Sequence, residues 1–590
     1  MIDDSRLNPI SFPARRPLKA YAFDPSMGRM LGNHLTLSVG YEPLSIGPVG
    51  ERFAVIDYDG HVQRYYQPAD LDDPAVLLRG GLDPTESDPR FHQQMVYAVA
   101  SQTLERFEVA LGRKVHWRLG ARSPQRLNLH PHAMLQANAF YSRDAQGILF
   151  GYFHAGDDPD GYVLPGQTIF TCLSHDVIAH EVTHAVIDGI REHFTEPTNV
   201  DVAAFHEAFA DLAALFRHFS HQEALLETLQ RTGGRLYGAN LAAEAETRNK
   251  SPAIGAQIAP DNPLVFLARQ FGQVSGHSAG LRSAIDKAAN ADDIRTKTEP
   301  HERGAILVAA MFDAYFTTYV RRTADLFRVF RAGGGAQDPV DLPEALAVLL
   351  AERAAKSADM FFQICARALD YCPPVDITFG DFLRAVITAD ADLYPVDAHN
   401  VREAIMQAFR RRGIVPEGAA YFSEESLRWP DRSDELPPVA GLVFGDPNGL
   451  TRDEKNFNGK ILRGYANTVG DKLGFDLARG PIAVPSFHPM FRLGEDGVLR
   501  IDMVVEMIQS TDEPFDVENP GFGTFKMRAG VTVMIASPPV SSGKRGDPLI
   551  RYVIPRHNDI NRLRRQRTAF AAAAFMTKDH RIDFSLVHGV

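Results

Sequence analysis

Only three cysteines, Cys172, Cys365 and Cys372, occur in 590 residues. So few, and an odd number, exclude a secreted disulfide framework, and their spacing is too wide for a zinc site built on thiolates. Buried free thiols are expected. No stretch of about eighteen uninterrupted apolar residues is present, so no membrane-spanning helix is expected. The first residues, MIDDSRLNPISFPARRPLKAYAF, lack the apolar core of a secretory signal, which makes a cytoplasmic location the default expectation. Positive charge is outnumbered, 62 Lys and Arg against 74 Asp and Glu. A formal net charge of −12 gives no electrostatic reason to expect a nucleic-acid partner. The one basic run, Arg562, Arg564, Arg565 and Arg567, reads as a solvated helix face. There is no phosphate-binding loop either, since Ser541-Ser542-Gly543-Lys544 has Pro538 in place of the leading glycine and Arg545 in place of the hydroxyl residue.

What is present is the composition of an ordinary folded protein, 45% hydrophobic and 23% charged, in a chain too long for a single core. Residues 1–90 read as strand and loop, with Asp59-Gly60 as a hairpin turn. Val96, Val99, Ala100, Phe107 and Ala110 recur at helical spacing up to Gly112, and AMLQANAFY and GILFGYF read as strands. From Ser174 to about Phe409 helical patterns dominate. Residues 416–440, with WPDRSDELPP, read as an exposed linker. Beyond it the period becomes two: Leu499, Ile501, Met503, Val505 and Met507 alternate with Arg500, Asp502 and Glu506, and Phe525 to Ile535 behave alike. The expected class is α+β, with a β-rich domain over 441–590.

The chemistry concentrates in His180-Glu181-Val182-Thr183-His184. Residues four apart share one face of a helix, so both imidazoles can converge on one tetrahedral zinc. Glu181 leaves the helix about 100° round from His180, so it can reach a water on the metal. By chance alone this pentapeptide would arise in roughly one chain in twenty of this composition, so a second feature is needed. It is supplied by Phe205-His206-Glu207-Ala208-Phe209-Ala210-Asp211-Leu212, where two carboxylates four residues apart project from an otherwise apolar helix. Glu207 can be the third ligand, and Asp211 can accept the second N–H of a ligating histidine. His206, one residue away, points elsewhere and would at best support a ligand. Ile187 and Ile190 replace the glycine and histidine of the metzincin extension.

FTCLSHDVIAHEVTHAV, followed 23 residues after the second histidine by EAFAD, resembles the two zinc-binding helices of the thermolysin-like family of metallopeptidases. Asn138-Ala139-Phe140-Tyr141 resembles its edge strand, Leu281-Arg282-Ser283 and EPHERGAILVAA its substrate-binding arginine and transition-state histidine, and residues up to about 415 its closing helices. The resemblance covers about residues 90–415. It implies a mixed β/α lobe over 91–190 ending in the HExxH helix, a helical lobe over 191–415, and zinc-dependent hydrolysis of a peptide or protein substrate. It also implies that Asn138 and Ala139 hold the substrate backbone, that Arg282 binds a substrate carbonyl, and that His301 stabilises the oxyanion, oriented by Glu299 or Thr296. His277 competes with His301 for that role.

The chain departs from the family in two places. Phe194 or Thr195 falls where a tyrosine is usual, which motivates an alternative expectation: a weak or inactive relative acting as a binding module through its β-rich domain. Asp176 keeps one carboxylate of the family's calcium site, but His218 stands where a glutamate is expected, so calcium is not favoured. Without a secretion signal, an intracellular or unconventionally exported peptidase is implied.

Overall fold

Among the described residues strands dominate up to Phe170, helices between His175 and Arg411, and strands again from Ile482, giving a mixed α and β protein with several sheets. The structure is a computed structural model. It describes residues 13–27, 33–119, 125–157, 163–231, 233–234, 236, 289–335, 342–432, 434–445, 449–493, 498–516, 523–537, 540–541 and 544–588. Arg282, Leu281 and His277 lie outside them. Among the described residues no helix is long and apolar enough to cross a membrane. All three cysteines are buried and free.

The chain divides into two compact units, and two of the divisions fall inside helices: between Arg106 and Phe107, and between Val182 and Thr183. In the first unit, β1 (Arg15–Tyr21) and β2 (His34–Gly40) pair antiparallel. Strand β3 (Phe53–Val55) runs parallel to β6 (Leu127–Leu135), which runs parallel to β8 (Gly147–His154). Antiparallel β7 (Ala139–Ser142) and β9 (Thr168–Phe170) both pair with β8, and β7 ends the order β3-β6-β8-β7. The first 90 residues are therefore no separate segment, because β3 belongs to this sheet. The expected turn at Asp59-Gly60 joins β4 (Tyr58–Asp59) to β5 (Arg64–Tyr65). Helix α1 (Pro89–Leu111) ends at Gly112, whose φ of +65° only glycine adopts cheaply.

The second unit contains the helices from Thr183 onward and the C-terminal sheet together. Among the described residues its longer helices include the remainder of α2 (His175–Ile190), α3 (Val200–His218), α4 (Pro300–Ala332), α5 (Glu344–Ala368), α6 (Phe379–Leu393), α7 (Val401–Arg411), α8 (Arg452–Val469) and α9 (Ile560–Ala572). Strands β10 (Ile482–Leu493), β11 (Leu499–Pro514), β12 (Thr524–Ala536) and the strand Leu549–Arg556 form an antiparallel sheet in that order. Met503, Val505 and Met507 of β11, with Val531, Val533 and Ile535 of β12, bury one face against Leu462, Ala466 and Val469 of α8. The alternation in sequence thus gives the expected strands, but the opposite face is covered too. Glu506 and Thr532, directly opposite each other, both meet Arg191, at 2.5 and 3.2 Å. Arg191 also donates to the carbonyl of Leu369 at 2.8 Å. It follows the last residue of α2, so this buried cluster fastens the end of that helix to the sheet.

Two expectations need correction. The stretch 416–440 is not an exposed tether: Leu427 and Val439 are buried, and Trp429 donates from Nε1 to Tyr371 O at 2.9 Å under the Arg384 guanidinium. Its charges and prolines conceal these anchors. Nor is the basic run a solvated face. Arg562 is buried and donates to Asp376 at 2.7 Å, as Arg565 does at 2.8 Å. Asp376 accepts in addition from Thr198 and Asn199, the residue that caps α3. Burial opposes charge on Asp376, but Arg562, Arg556 and Arg565 outweigh it and hold the carboxyl well below the usual range.

Candidate metal centre

Helix α2 buries Ile178, Val182, Ala185 and Val186 on its apolar side. That orientation leaves His180 and His184, one turn apart, on a common face. Helix α3 starts at the Asn199 cap, whose side chain accepts from Asp201 N at 2.7 Å, and carries Glu207, only 1% exposed. A carboxylate buried this deeply requires a cationic or hydrogen-bonding partner.

His180, His184, Glu207 and a residue that the sequence did not suggest, His588, each offer one ligand atom, all within 4.8 Å of one another. Nε2 of His184 is 3.7 Å from Oε1 of Glu207, and Nε2 of His588 is 3.1 Å from Oε2. A tetrahedron with metal bonds of about 2.0–2.1 Å has edges of about 3.3 Å, so small shifts bring these atoms onto one cation. Three imidazoles and a carboxylate are zinc-type donors, and the residues fit that ion. Nδ1 of His184 faces Nδ1 of His206 at 3.3 Å, which directs Nε2 toward Glu207. His206 is thus a neighbour of the His184 ring, and Asp211 sits half-buried one turn beyond Glu207.

His301 is the second residue of α4, whose Glu299 cap accepts from Glu302 N. Gly304 brings α4 close to α3: a β-carbon there would lie 2.9 Å from Ala204 O and 3.2 Å from Ala208 N. Through this approach Nε2 of His301 reaches 3.3 Å from Glu207, while Nδ1 lies 3.0 Å from Glu299, the orienting partner the sequence suggested; Thr296 bonds instead to the Asp292 carbonyl. Burial works against a charged His301, but Glu207 and Glu299 outweigh it and raise its pKa to about 9. A cation on Glu207 would remove much of that attraction.

Glu181 is 3% exposed and does not join the ligand group. Its Oε2 accepts the amide of Tyr141 at 2.9 Å, which ties it to the terminal strand β7. Asn138 and Ala139, both buried, lead into and open that strand, with Ala139 opposite Phe150 on β8. Phe194 packs edge-on against Phe205, and the Thr195 hydroxyl donates to the Glu192 carbonyl and accepts from Arg581 at 2.7 Å.

Arg581 begins the segment that delivers His588. Ile582 N donates to Thr195 O at 2.7 Å, and the Phe584 ring lies 4.3 Å from that of His184. Asp583 accepts from Ser585 and caps the turn Phe584–Val587. No local signal marks His588 in SLVHGV; only the path of the chain brings it to the site.

A second group, His92, His132 and Cys172, is also close enough to hold an ion, and hydrogen bonds engage its two histidines. His132 spans Asp57 at 2.7 Å and His92 at 2.8 Å, and His92 reaches Glu86 O at 3.1 Å. Burial pushes His92 down to about 3 and the Cys172 thiol well up. No family model matches this chain, and no curated protein matches it.

Proposed function

We propose that the chain is a zinc-dependent metalloendopeptidase, with the metal held by His180, His184 and Glu207. The observation that carries this reading is the convergence of those three side chains, from two helices, with their ligand atoms within 4.8 Å of one another. The resemblance to thermolysin-like enzymes supports it, and the two-lobed arrangement of that family belongs to the same proposal. Bound there, zinc supplies Lewis acidity, lowering the pKa of water from 15.7 to about 7 and polarising a carbonyl.

The rest is work for the chain's own residues. Glu181, oriented by the Tyr141 amide, takes the proton of the attacking water and passes it to the leaving amine. His301 donates a hydrogen bond to the oxygen that gains charge, with Glu299 fixing its ring. Asn138 and Ala139 hold an extended substrate beside β7 by strand addition, Arg282 binds a substrate carbonyl, and Asp211 supports the ligating histidines. The test is hydrolysis of a peptide by wild type and Glu181→Gln, with zinc measured in both. The variant should keep zinc and lose activity; equal hydrolysis by both would refute the assigned base.

One observation favours a second reading. If His588 is a permanent ligand, four protein donors close the site in the manner of structural zinc, and the protein binds rather than cleaves.

A further inference from the structure

We infer that His588 is the fourth metal ligand of the resting protein, and that the segment 581–588 holds the site latent by occupying the position a water would take. This rests on the peptidase reading above. Three protein ligands leave a tetrahedral zinc one open position, which a catalytic site reserves for water. The His588 ring, 9% exposed, offers its Nε2 at 3.1 Å from Glu207 and within 4.8 Å of the other two donors. Nothing smaller is needed to fill that position.

The segment is built to stay there. Arg581 is bonded to the Thr195 hydroxyl and the Glu192 carbonyl, Ile582 to the Thr195 carbonyl, and Phe584 covers the His184 ring. An imidazole tethered in this way competes with water at an effective concentration of millimolar or more. Yet the hold is local. One helical turn and the contacts of Arg581, Ile582 and Phe584 secure it, with Leu586 54% exposed, so releasing it is a local opening rather than global unfolding. Opening is a ligand exchange: the bond between metal and His588 breaks, water binds, and no proton or electron changes hands in the swap. The turn Phe194–Thr195, where the family offers a tyrosine to the oxyanion, serves here as the anchor of the latch.

The experiment uses the full-length zinc protein and its cobalt-substituted form, in wild type, His588→Ala and His588→Gln. Glutamine keeps a hydrogen bond to Glu207 within reach but is a poor ligand, so it separates ligation from hydrogen bonding. Both variants should retain zinc, show an altered visible cobalt spectrum as solvent replaces imidazole, and hydrolyse peptide on the order of tenfold faster, in proportion to the open fraction. Unchanged spectra and unchanged rates would overturn the inference while leaving an active peptidase standing. Loss of zinc from both variants would overturn latency in favour of a structural ligand. Altered spectra with no hydrolysis by any form would sustain ligation by His588 but refute both latency and the peptidase reading.

Discussion

Nε2 of His588 lies 3.1 Å from Oε2 of Glu207, although 381 residues separate them in the chain. The carboxylate that completes the candidate metal site is thus also where the last described segment is secured. Two further contacts converge on the same carboxylate, from His184 at 3.7 Å and His301 at 3.3 Å. Three imidazoles around one buried anion make Glu207 the pivot of the site.

Glu207→Ala should therefore abolish metal retention rather than weaken it. Changes to residues that merely support ligands cost about 10–100-fold in affinity, and the loss here should exceed that. Zinc content after dialysis, with a competing chelator to set the scale, measures it.

His301→Ala should leave zinc in place and lower kcat by about 10²–10³, the usual consequence of removing one oxyanion donor. Because Nδ1 of His301 is held by Glu299, Glu299→Gln should give a smaller loss of the same kind. A variant that lost zinc would assign His301 to the ligands instead.

Gly304→Ala should disturb the site without touching it. The added β-carbon meets backbone atoms of Ala204 and Ala208, which cannot rotate away. Forcing α4 off α3 should cost about 1–3 kcal/mol in urea unfolding and carry His301 away from Glu207, lowering kcat with zinc unchanged.

The grouping of His180, His184 and Glu207 was legible because helical spacing is a local property: His180 and His184 need one turn, and Glu207 stands on the next apolar helix. The strand alternation from Leu499 to Met507 was legible for the same reason. What the alternation could not reveal is that its second face is also covered, by Arg191 bridging Glu506 and Thr532 from more than 300 residues away. Arg562 looked like a solvated charge because its partner, Asp376, is 186 residues distant. His588 was invisible on the same ground: a lone histidine between Val587 and Gly589 carries no periodicity and no pattern, and its role depends on where the chain has been led.

Asp376→Asn should destabilise the second unit by about 3–5 kcal/mol, since it leaves Arg562 buried with its counter-charge removed. The sign of the pH effect follows from the lowered carboxyl. Its stabilisation is present in full above the unfolded value of about 3.9 and is lost as pH falls toward the folded value. Wild type should therefore lose stability below about pH 4 more steeply than the variant, as read by denaturant midpoints across that range.

Arg581→Ala removes the bonds to Thr195 and Glu192 but leaves the His588 ring intact. If the latch depends on its anchor, hydrolysis should rise a few-fold, less than in His588→Ala, because the fraction of open sites grows without the ligand being deleted. Peptide-hydrolysis rates for the two variants, assayed side by side, check the order.

The most direct test of the central claim is an anomalous-difference map, collected at the zinc absorption edge from crystals of the full chain. The account predicts one strong peak bonded to His180, His184 and Glu207, with the His588 ring at the fourth position in the resting protein. No peak among those side chains, or a zinc elsewhere that leaves Glu207 uncoordinated, would contradict it.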